Sequence, residues 1–165
     1  DGLDEQEKNE LYHQIGIGAL KYYILKVDPA KRILFNPKES VDFNVNTGPF
    51  IQYAYARIQS IVKQSNDSKK NISLEIPLDQ KEKELLKWLE LYPQTIQNAA
   101  EQNSPALVAN YVYELVKRFN SYYQKVVILS DDEYIRQFRL RLASQVGHVI
   151  QSGMGILGIE CPKQM

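Results

Sequence analysis

Hydrophobic residues recur three and four positions apart along most of this chain, which is the spacing of one face of a helix. The first such segment runs through Leu11, Ile15, Leu20, Tyr23, Ile24 and Val27. Gly16 and Gly18 weaken this helix without removing its pattern, and the Asp-Pro pair at 28–29 is expected to end it. Residues 1–10 carry five acids and one base, and we interpret them as a solvated acidic segment. Residues 32–37 are interpreted as an extended or irregular link.

The residues that precede a second hydrophobic segment predict a helix start. Thr47 or Gly48 can cap this helix, and Pro49 suits its first turn because proline needs no hydrogen-bond acceptor there. The helix should extend to about Gln64. A polar loop over residues 65–71 is expected to follow it.

A charged helix is predicted after Pro77, and its apolar residues are expected to form one buried stripe. The stripe consists of Leu85, Leu86, Trp88 and Leu89. Pro93 breaks or bends this helix, because a proline inside a helix removes a backbone hydrogen bond. A second short helix over residues 94–102 should follow.

Two long helices are predicted in the last third of the chain. Ser104 and Pro105 supply a cap and a first-turn proline for the first of them. Its buried face is expected to comprise Val108, Tyr111, Val112, Leu115, Phe119 and Tyr122. Residues 130–133 read as a capping box for the second helix, which should run to about Ser152, with Gly153 as a left-handed stop. The predicted fold is therefore an all-α helical bundle with short connections.

Composition is that of a soluble globular domain, with 44% hydrophobic and 24% charged residues in 165. No apolar run approaches the length of a membrane span, and the single cysteine suits a reducing compartment, so we expect a cytoplasmic location and no membrane partner. The net charge is zero. Without residues 1–10, however, the chain has 19 bases (20 less one) against 15 acids (20 less five), an excess that is compatible with nucleic-acid binding.

The residues that most often perform catalysis or bind metals do not form a convincing site. Residues 153–158 match the glycine pattern of dinucleotide-binding loops, but they follow a predicted helix rather than a strand, so helix termination explains them better. The acids at 131–133 are consecutive and point in different directions, which favours capping. His13, His148 and Cys161 are isolated in sequence. We expect no catalytic residue and no metal ligand in this chain.

Aromatic and basic residues suggest a different chemistry. Phe50, Tyr53 and Arg57 are three and then four positions apart and share one helix face. Two rings and a guanidinium can hold a nucleotide base and its phosphate. The pattern is equally typical of an arginine whose stem covers the edge of a core. Tyr111 and Tyr113 lie on different faces, so at most one of them should be buried.

Three stretches, residues 46–57, 105–123 and 153–165, together resemble the C-terminal part of arginyl-tRNA synthetases. These are class I enzymes in which a catalytic domain with two ATP-binding motifs, similar to His-Ile-Gly-His and Lys-Met-Ser-Lys, precedes a helical anticodon-binding domain of the DALR type. Both ATP motifs are absent from the sequence. The resemblance implies that residues 1–45 are the end of the catalytic domain and that residues 46–165 form the anticodon-binding domain.

The resemblance also implies function and site residues. The parent enzyme uses ATP and Mg²⁺ to attach arginine to its tRNA, whereas this fragment is expected to be inactive alone and to bind no cofactor. Its implied partners are the anticodon loop of arginine tRNA, especially the middle cytosine, and the missing catalytic domain, against which residues 16–23 should pack. The positions that match the family's tRNA contacts are Phe50, Tyr53, Arg57, Lys63, Tyr111 and Met165.

Two classes of function remain open at this point. The first is anticodon binding by part of an arginine–tRNA ligase. The alternative is a helical protein–protein interaction module with a tyrosine-rich surface, because exposed tyrosines are also common at protein interfaces.

Overall fold

The computed structural model describes residues 4–63 and 76–165, and over these residues the chain is helical, with no strand. The seven helices are α1 (Glu5–Leu25), α2 (Pro37–Ser40), α3 (Gly48–Lys63), α4 (Gln80–Glu90), α5 (Tyr92–Glu101), α6 (Pro105–Lys125) and α7 (Glu133–Ile156). This confirms the predicted all-α bundle. The loop predicted over residues 65–71 and the helix end predicted at Gln64 lie outside the described residues.

Helix α6 occupies the centre of the bundle and packs against α1, α3, α4, α5 and α7. Every residue of its predicted face is buried, so that prediction is confirmed. The largest fully buried side chains of the core come from all the long helices. They include Tyr22, Ile51, Tyr55, Ile58, Leu85, Leu115, Phe119, Tyr122, Ile150 and Met154.

The first helix starts earlier than the sequence predicted, and residues 5–10 are helical rather than a solvated tail. Asp4 and Glu7 form a capping box, in which the Glu7 N–H donates to the Asp4 carboxylate and the Asp4 N–H donates to the Glu7 carboxylate, both at 2.8 Å. Acidic side chains in the first turn are favourable beside the positive end of the helix. The helix ends at Leu25, before the predicted stop at 28–29.

The glycines of α1 and α3 let these two helices approach closely. A Cβ atom on Gly48 would lie 2.7 Å from the carbonyl oxygen of Gly18, and one on Gly18 would lie 2.6 Å from the side-chain amide of Gln52. Near this contact, Tyr22 is fully buried and its hydroxyl donates to the carbonyl oxygen of Ala109 at 2.9 Å. Helix α1 is therefore packed into the same core as α3 and α6. The boundary predicted between residues 45 and 46 stays a prediction.

The prediction that Gly153 ends the last helix is wrong. Gly153 lies within α7, and a Cβ atom there would lie 2.5 Å from a methyl of Val112, so glycine is needed for close packing of α7 on α6. The helix instead ends at Ile156, and Gly158, two residues later, has the left-handed φ of +67°. The Ile159 N–H donates to the Met154 carbonyl at 2.9 Å, which is the hydrogen bond of a Schellman cap.

The start of α7 also differs from the predicted capping box. Asp132, rather than Ser130, is the cap, and its carboxylate accepts hydrogen bonds from the N–H groups of Tyr134 and Ile135. With Asp132 as the cap, the third helical position is an isoleucine, which cannot return a hydrogen bond. Glu133 pairs instead with Arg136.

The inward face of α4 contains a charged residue that the hydrophobic pattern did not predict. Leu85 is buried as expected and Trp88 packs against the core, but Leu86 is exposed because it lies one position off this face. The inward position one turn before Leu85 is Glu82, which is only 1% exposed as a whole residue. Its carboxylate accepts a hydrogen bond from Arg139 Nε at 2.8 Å, so an ion pair joins α4 to α7 inside the bundle.

Candidate nucleic-acid interface

An open groove of about 580 Å³ lies between α1, α3, α6 and the C-terminal segment, and four of the six predicted site residues line it. We name it the aromatic groove. Its lining includes Tyr12, Phe43, Phe50, Tyr53, Arg57 and Met165, together with the amides of Asn44, Asn120 and Gln124.

Helix α3 presents Phe50, Tyr53 and Arg57 to this groove. The Thr47 hydroxyl accepts a hydrogen bond from the Phe50 N–H at 3.3 Å, so the residue predicted as a cap does close the first turn. The opposite face of the helix is fixed in the core by residues such as Ile58, which is fully buried. The three side chains are therefore held in place by the buried half of their own helix.

Arg57 lies between two aromatic rings that remain open to solvent. Its guanidinium carbon is 4.8 Å from the centre of the Tyr53 ring and 5.4 Å from that of Tyr123. Tyr53 is 45% exposed and Tyr123 41% exposed. The guanidinium thus covers part of the ring surface, as expected for an arginine at the edge of a core. Both tyrosines also keep accessible surface, as expected for residues that bind a base.

Tyr123 is a residue of this cluster that the sequence reasoning missed. Its neighbour Tyr122 belongs to the buried face of α6, so Tyr123, one position on, points away from the core. It lies three positions after Asn120, which lines the groove, and residues three apart are neighbours on a helix. At the other side of the groove, the ring of Phe43 meets that of Tyr53 edge to face, with centres 6.3 Å apart.

Phe50 and Met165 complete the apolar part of the groove. Phe50 is half-buried, with its ring centre 5.5 Å from that of Tyr113. Met165 is exposed and also lines the groove. Such a combination of ring faces and a thioether favours flat, apolar ligand surfaces.

Tyr111 lies outside the groove. It is only 5% exposed, its ring stacks on Trp88 with centres 5.4 Å apart, and its hydroxyl donates to the Trp88 carbonyl oxygen at 2.8 Å. Burial raises the pKa of the Tyr111 hydroxyl well above its usual value. The structure therefore gives Tyr111 a packing role between α4 and α6, and its assignment as an RNA contact stays a prediction that this arrangement does not favour.

Lys63 lines a second, neighbouring surface, which we name the basic shelf. The shelf is formed by Gln59, Ser60, Val62, Lys63, Lys163 and Gln164. Lys63 lies six residues beyond Arg57, or about 9 Å further along the axis of α3. Among the described residues, neither Lys63 nor Lys163 forms an ion pair, so both ammonium groups are available to an anion.

The residues considered for catalysis are not grouped in space. Within residues 4–63 and 76–165, no three His, Cys, Asp or Glu side chains are placed to hold a metal ion. The glycine pattern at 153–158 falls on the end of α7, where its glycines serve packing and capping rather than a loop after a strand. None of the described helices is long and apolar enough to cross a membrane.

We expect Cys161 to be unreactive in the folded chain. Burial raises the pKa of its thiol to about 12, so far less of it is thiolate at pH 8 than in the unfolded chain. Because the thiolate is the nucleophile, a disulfide reagent should react at least about 100-fold more slowly with native than with guanidinium-unfolded protein. Equal rates in the two states would contradict this.

Comparisons with known proteins identify the family of this chain. The family model of the DALR anticodon binding domain matches residues 51–165. The arginine–tRNA ligases of Flavobacterium psychrophilum and Bacteroides thetaiotaomicron are 52% and 45% identical to it over the whole chain, which spans only 28% of the length of each. These matches give no support to a protein-interaction module.

Solved structures agree with this assignment. Thermus thermophilus arginyl-tRNA synthetase superposes with a TM-score of 0.93 at 28% identity, covering 100% of this chain and 28% of that one. The Plasmodium falciparum arginyl-tRNA synthetase superposes with a TM-score of 0.84 at 23% identity, covering 95% of this chain and 28% of that one, and so shows the fold alone. The chain therefore belongs to the DALR anticodon binding domain family.

Proposed function

We propose that this chain is the anticodon-binding part of an arginine–tRNA ligase and that the aromatic groove holds unpaired bases of the anticodon loop of arginine tRNA. The observation that carries the proposal is the position of Arg57 between two open rings, in a groove that Met165 also lines. The 52% identity to an arginine–tRNA ligase over the whole chain supports it.

The chemistry of the groove suits an anticodon loop. Bases in such a loop are unstacked, and proteins bind them by stacking aromatic side chains or guanidinium planes on their faces. Tyr53 and Tyr123 are partly exposed aromatic side chains, and Arg57 adds a positive charge for the phosphates. A stacked ring contributes about 1–3 kcal/mol per base.

The chemical step belongs to the whole enzyme in this proposal. Arginine activation needs ATP, with Mg²⁺, and the sequence contains neither ATP-binding motif, so this chain binds tRNA without aminoacylating it. The proposed location is the cytoplasm, where tRNA is charged. No residue of the chain is assigned to bind ATP or a metal ion.

A face of α1 fits the proposed contact with the catalytic domain. Ile17, Leu20 and Ile24 are three and four positions apart and exposed, and Leu34 and Phe35 in the link after α1 are exposed as well. Apolar side chains grouped in this way mark contact surfaces. We propose that the catalytic domain of the same longer chain covers them and that the boundary between the two domains lies near residue 45.

Titration with two tRNAs tests the proposed function. The chain should bind an arginine tRNA more tightly than the same tRNA altered at the middle base of the anticodon. Equal affinity for both would contradict anticodon binding. Binding should also weaken steeply as salt is added, because phosphate contacts release counterions.

We expect the basic shelf to contact the phosphates of the same RNA loop. Replacing Lys63 and Lys163 together by glutamine removes two cations and should lower the slope of log affinity against log salt by about 1.4, at about 0.7 for each phosphate contact of a single strand. The affinity should fall similarly for the two tRNAs, since phosphates carry no base information. The measurement is a binding titration at several salt concentrations.

Lys83 and Lys87 provide the matched control. Both are exposed lysines on α4 and neither lines the aromatic groove or the basic shelf. Their replacement by glutamine changes the net charge equally and should leave the slope almost unchanged. If both pairs lower the slope to the same extent, the shelf has no specific role.

A further inference from the structure

The aromatic groove needs a hydrogen-bonding group if it is to choose among bases. Stacking on rings accepts every base, because every base has a π-face. Selection of one base therefore depends on polar side chains that reach its edge. Besides the tyrosine hydroxyls, the polar side chains that line the groove are Asn44, Arg57, Asn120 and Gln124.

The polar groups of three of these four side chains already have a partner, which is another side chain, an aromatic ring or water. The side-chain amide of Asn44 donates to Asp42 Oδ1 at 3.2 Å. The guanidinium of Arg57 is stacked on two rings. Gln124 is exposed, so water satisfies its amide. The fourth, Asn120, differs from all of them.

Asn120 carries a buried polar atom with no partner. Its Oδ1 is shielded from solvent and accepts no hydrogen bond, and its Nδ2 donates none to any residue that the structure describes. A buried carbonyl oxygen without a partner lowers stability, and native proteins rarely retain one without a reason. Packing supplies no such reason here, because a leucine of nearly the same size would fill this position without the unpaired oxygen.

The Asn120 amide can turn toward a ligand without breaking a hydrogen bond to any described residue. Turning the side chain about its two rotatable bonds can direct Oδ1 and Nδ2 together toward the groove, and no hydrogen bond to a described residue opposes this rotation. An amide presents one acceptor beside one donor. That pair complements a base that carries an amine beside a ring-nitrogen acceptor, as cytosine and adenine do. Arg57, which can only donate, complements the remaining acceptors of such a base.

We infer that Asn120 is the specificity-determining residue of the aromatic groove and that it selects a base with an exocyclic amine, cytosine or adenine. Its Oδ1 accepts from the amine and its Nδ2 donates to the neighbouring ring nitrogen, while the rings of Phe50 and Tyr53, which line the groove, hold the base face. This inference rests on the proposed function, since it assigns base selection to a groove proposed to bind RNA.

The test compares the chain with its Asn120→Leu variant on four tRNA transcripts that differ only in the middle base of the anticodon. The unmodified chain should bind the transcript with cytosine or the one with adenine at least about 10-fold more tightly than the one with uracil, the size expected for a bidentate amide–base pair. In Asn120→Leu this preference should disappear. Binding of the uracil transcript should change less than about twofold, since stacking is retained.

A second readout separates base reading from a structural role. Because Asn120→Leu removes an unpaired buried oxygen, its melting temperature should be unchanged or higher by about 2–4 °C. A lower melting temperature with an unchanged base preference would show that Asn120 serves the fold, and would overturn the inference. If the leucine variant does not fold, Asn120→Ala is tested in the same way, with the same loss of preference expected.

Asn98→Leu is the matched control, because Asn98 is a half-buried asparagine of α5 that lies outside the groove. It should keep the full preference of the unmodified chain. An Asn120→Leu variant that also keeps it disproves the role of Asn120 and leaves the proposed function intact. If the unmodified chain binds all four transcripts equally, the proposed function itself fails, and the inference fails with it.

Discussion

Replacing Tyr53 and Arg57 together by alanine should weaken the binding of arginine tRNA by about 100-fold, or about 2.7 kcal/mol. The change removes one of the two exposed rings and the guanidinium that lies between them, so a base in the aromatic groove loses a stacking face and its phosphate loses a cation. Stability should change little, because Tyr53 is half exposed and Arg57 forms no ion pair with any described residue. A binding titration and a thermal melt measure the two effects.

Tyr134 and Lys83 give the control for this double variant. Tyr134 is an exposed tyrosine on α7, Lys83 is an exposed cation on α4, and neither lines the groove. Alanine at both positions should leave tRNA affinity within about twofold, since exposed groups outside a binding site contribute little. If the Tyr53 and Arg57 variant folds and binds arginine tRNA as tightly as the unmodified chain, the site assignment is wrong.

Arg139→Met should be the most destabilising single change outside the hydrophobic core. It leaves the Glu82 carboxylate buried without its cation, which costs about 3 kcal/mol in the free energy of unfolding. For a chain of this size, the melting temperature should fall by about 6–12 °C. Part of the effect comes from the lost hydrogen bond between Arg139 and the Val127 carbonyl oxygen. Thermal and urea unfolding measure it.

Two further variants show whether charge or packing causes this loss. Adding Glu82→Gln to Arg139→Met removes the uncompensated charge while glutamine still accepts the hydrogen bond from the Asp79 N–H, so most of the stability should return. Arg136→Met breaks a pair whose side chains are both about one-third exposed, and should cost less than about 1 kcal/mol. Equal losses for Arg136→Met and Arg139→Met would contradict the argument.

The sequence predicted most of the fold because its strongest signals are local. Ser104 and Pro105 mark the start of α6, and every residue of the apolar face predicted for this helix is buried. Helix ends were less predictable. Gly153 and Gly158 are equally good stops by composition, and only the packing of Gly153 against Val112 and the left-handed backbone of Gly158 distinguish them.

The candidate site was predictable only where it lies on one helix. The spacing of Phe50, Tyr53 and Arg57 placed them on one face of α3, and the structure brings them to one groove. Tyr123 and Asn120 lie on α6, and no local pattern reports that this face of α6 meets α3. Tyr111 is a different case, because its burial was predicted from its place on the apolar face of α6, whereas the partner that covers its ring, Trp88, was not.

Helix α1 contributes residues to two separate surfaces of the bundle. Near its start, Leu11, Tyr12 and Ile15 border the groove, whereas Ile17, Leu20 and Ile24 form a separate outward ridge. The close glycine contact between α1 and α3 links both surfaces to α3. If binding in the groove changes the affinity of a protein for the outward face of α1, binding of that protein changes the affinity of the groove by the same factor, as thermodynamic reciprocity requires.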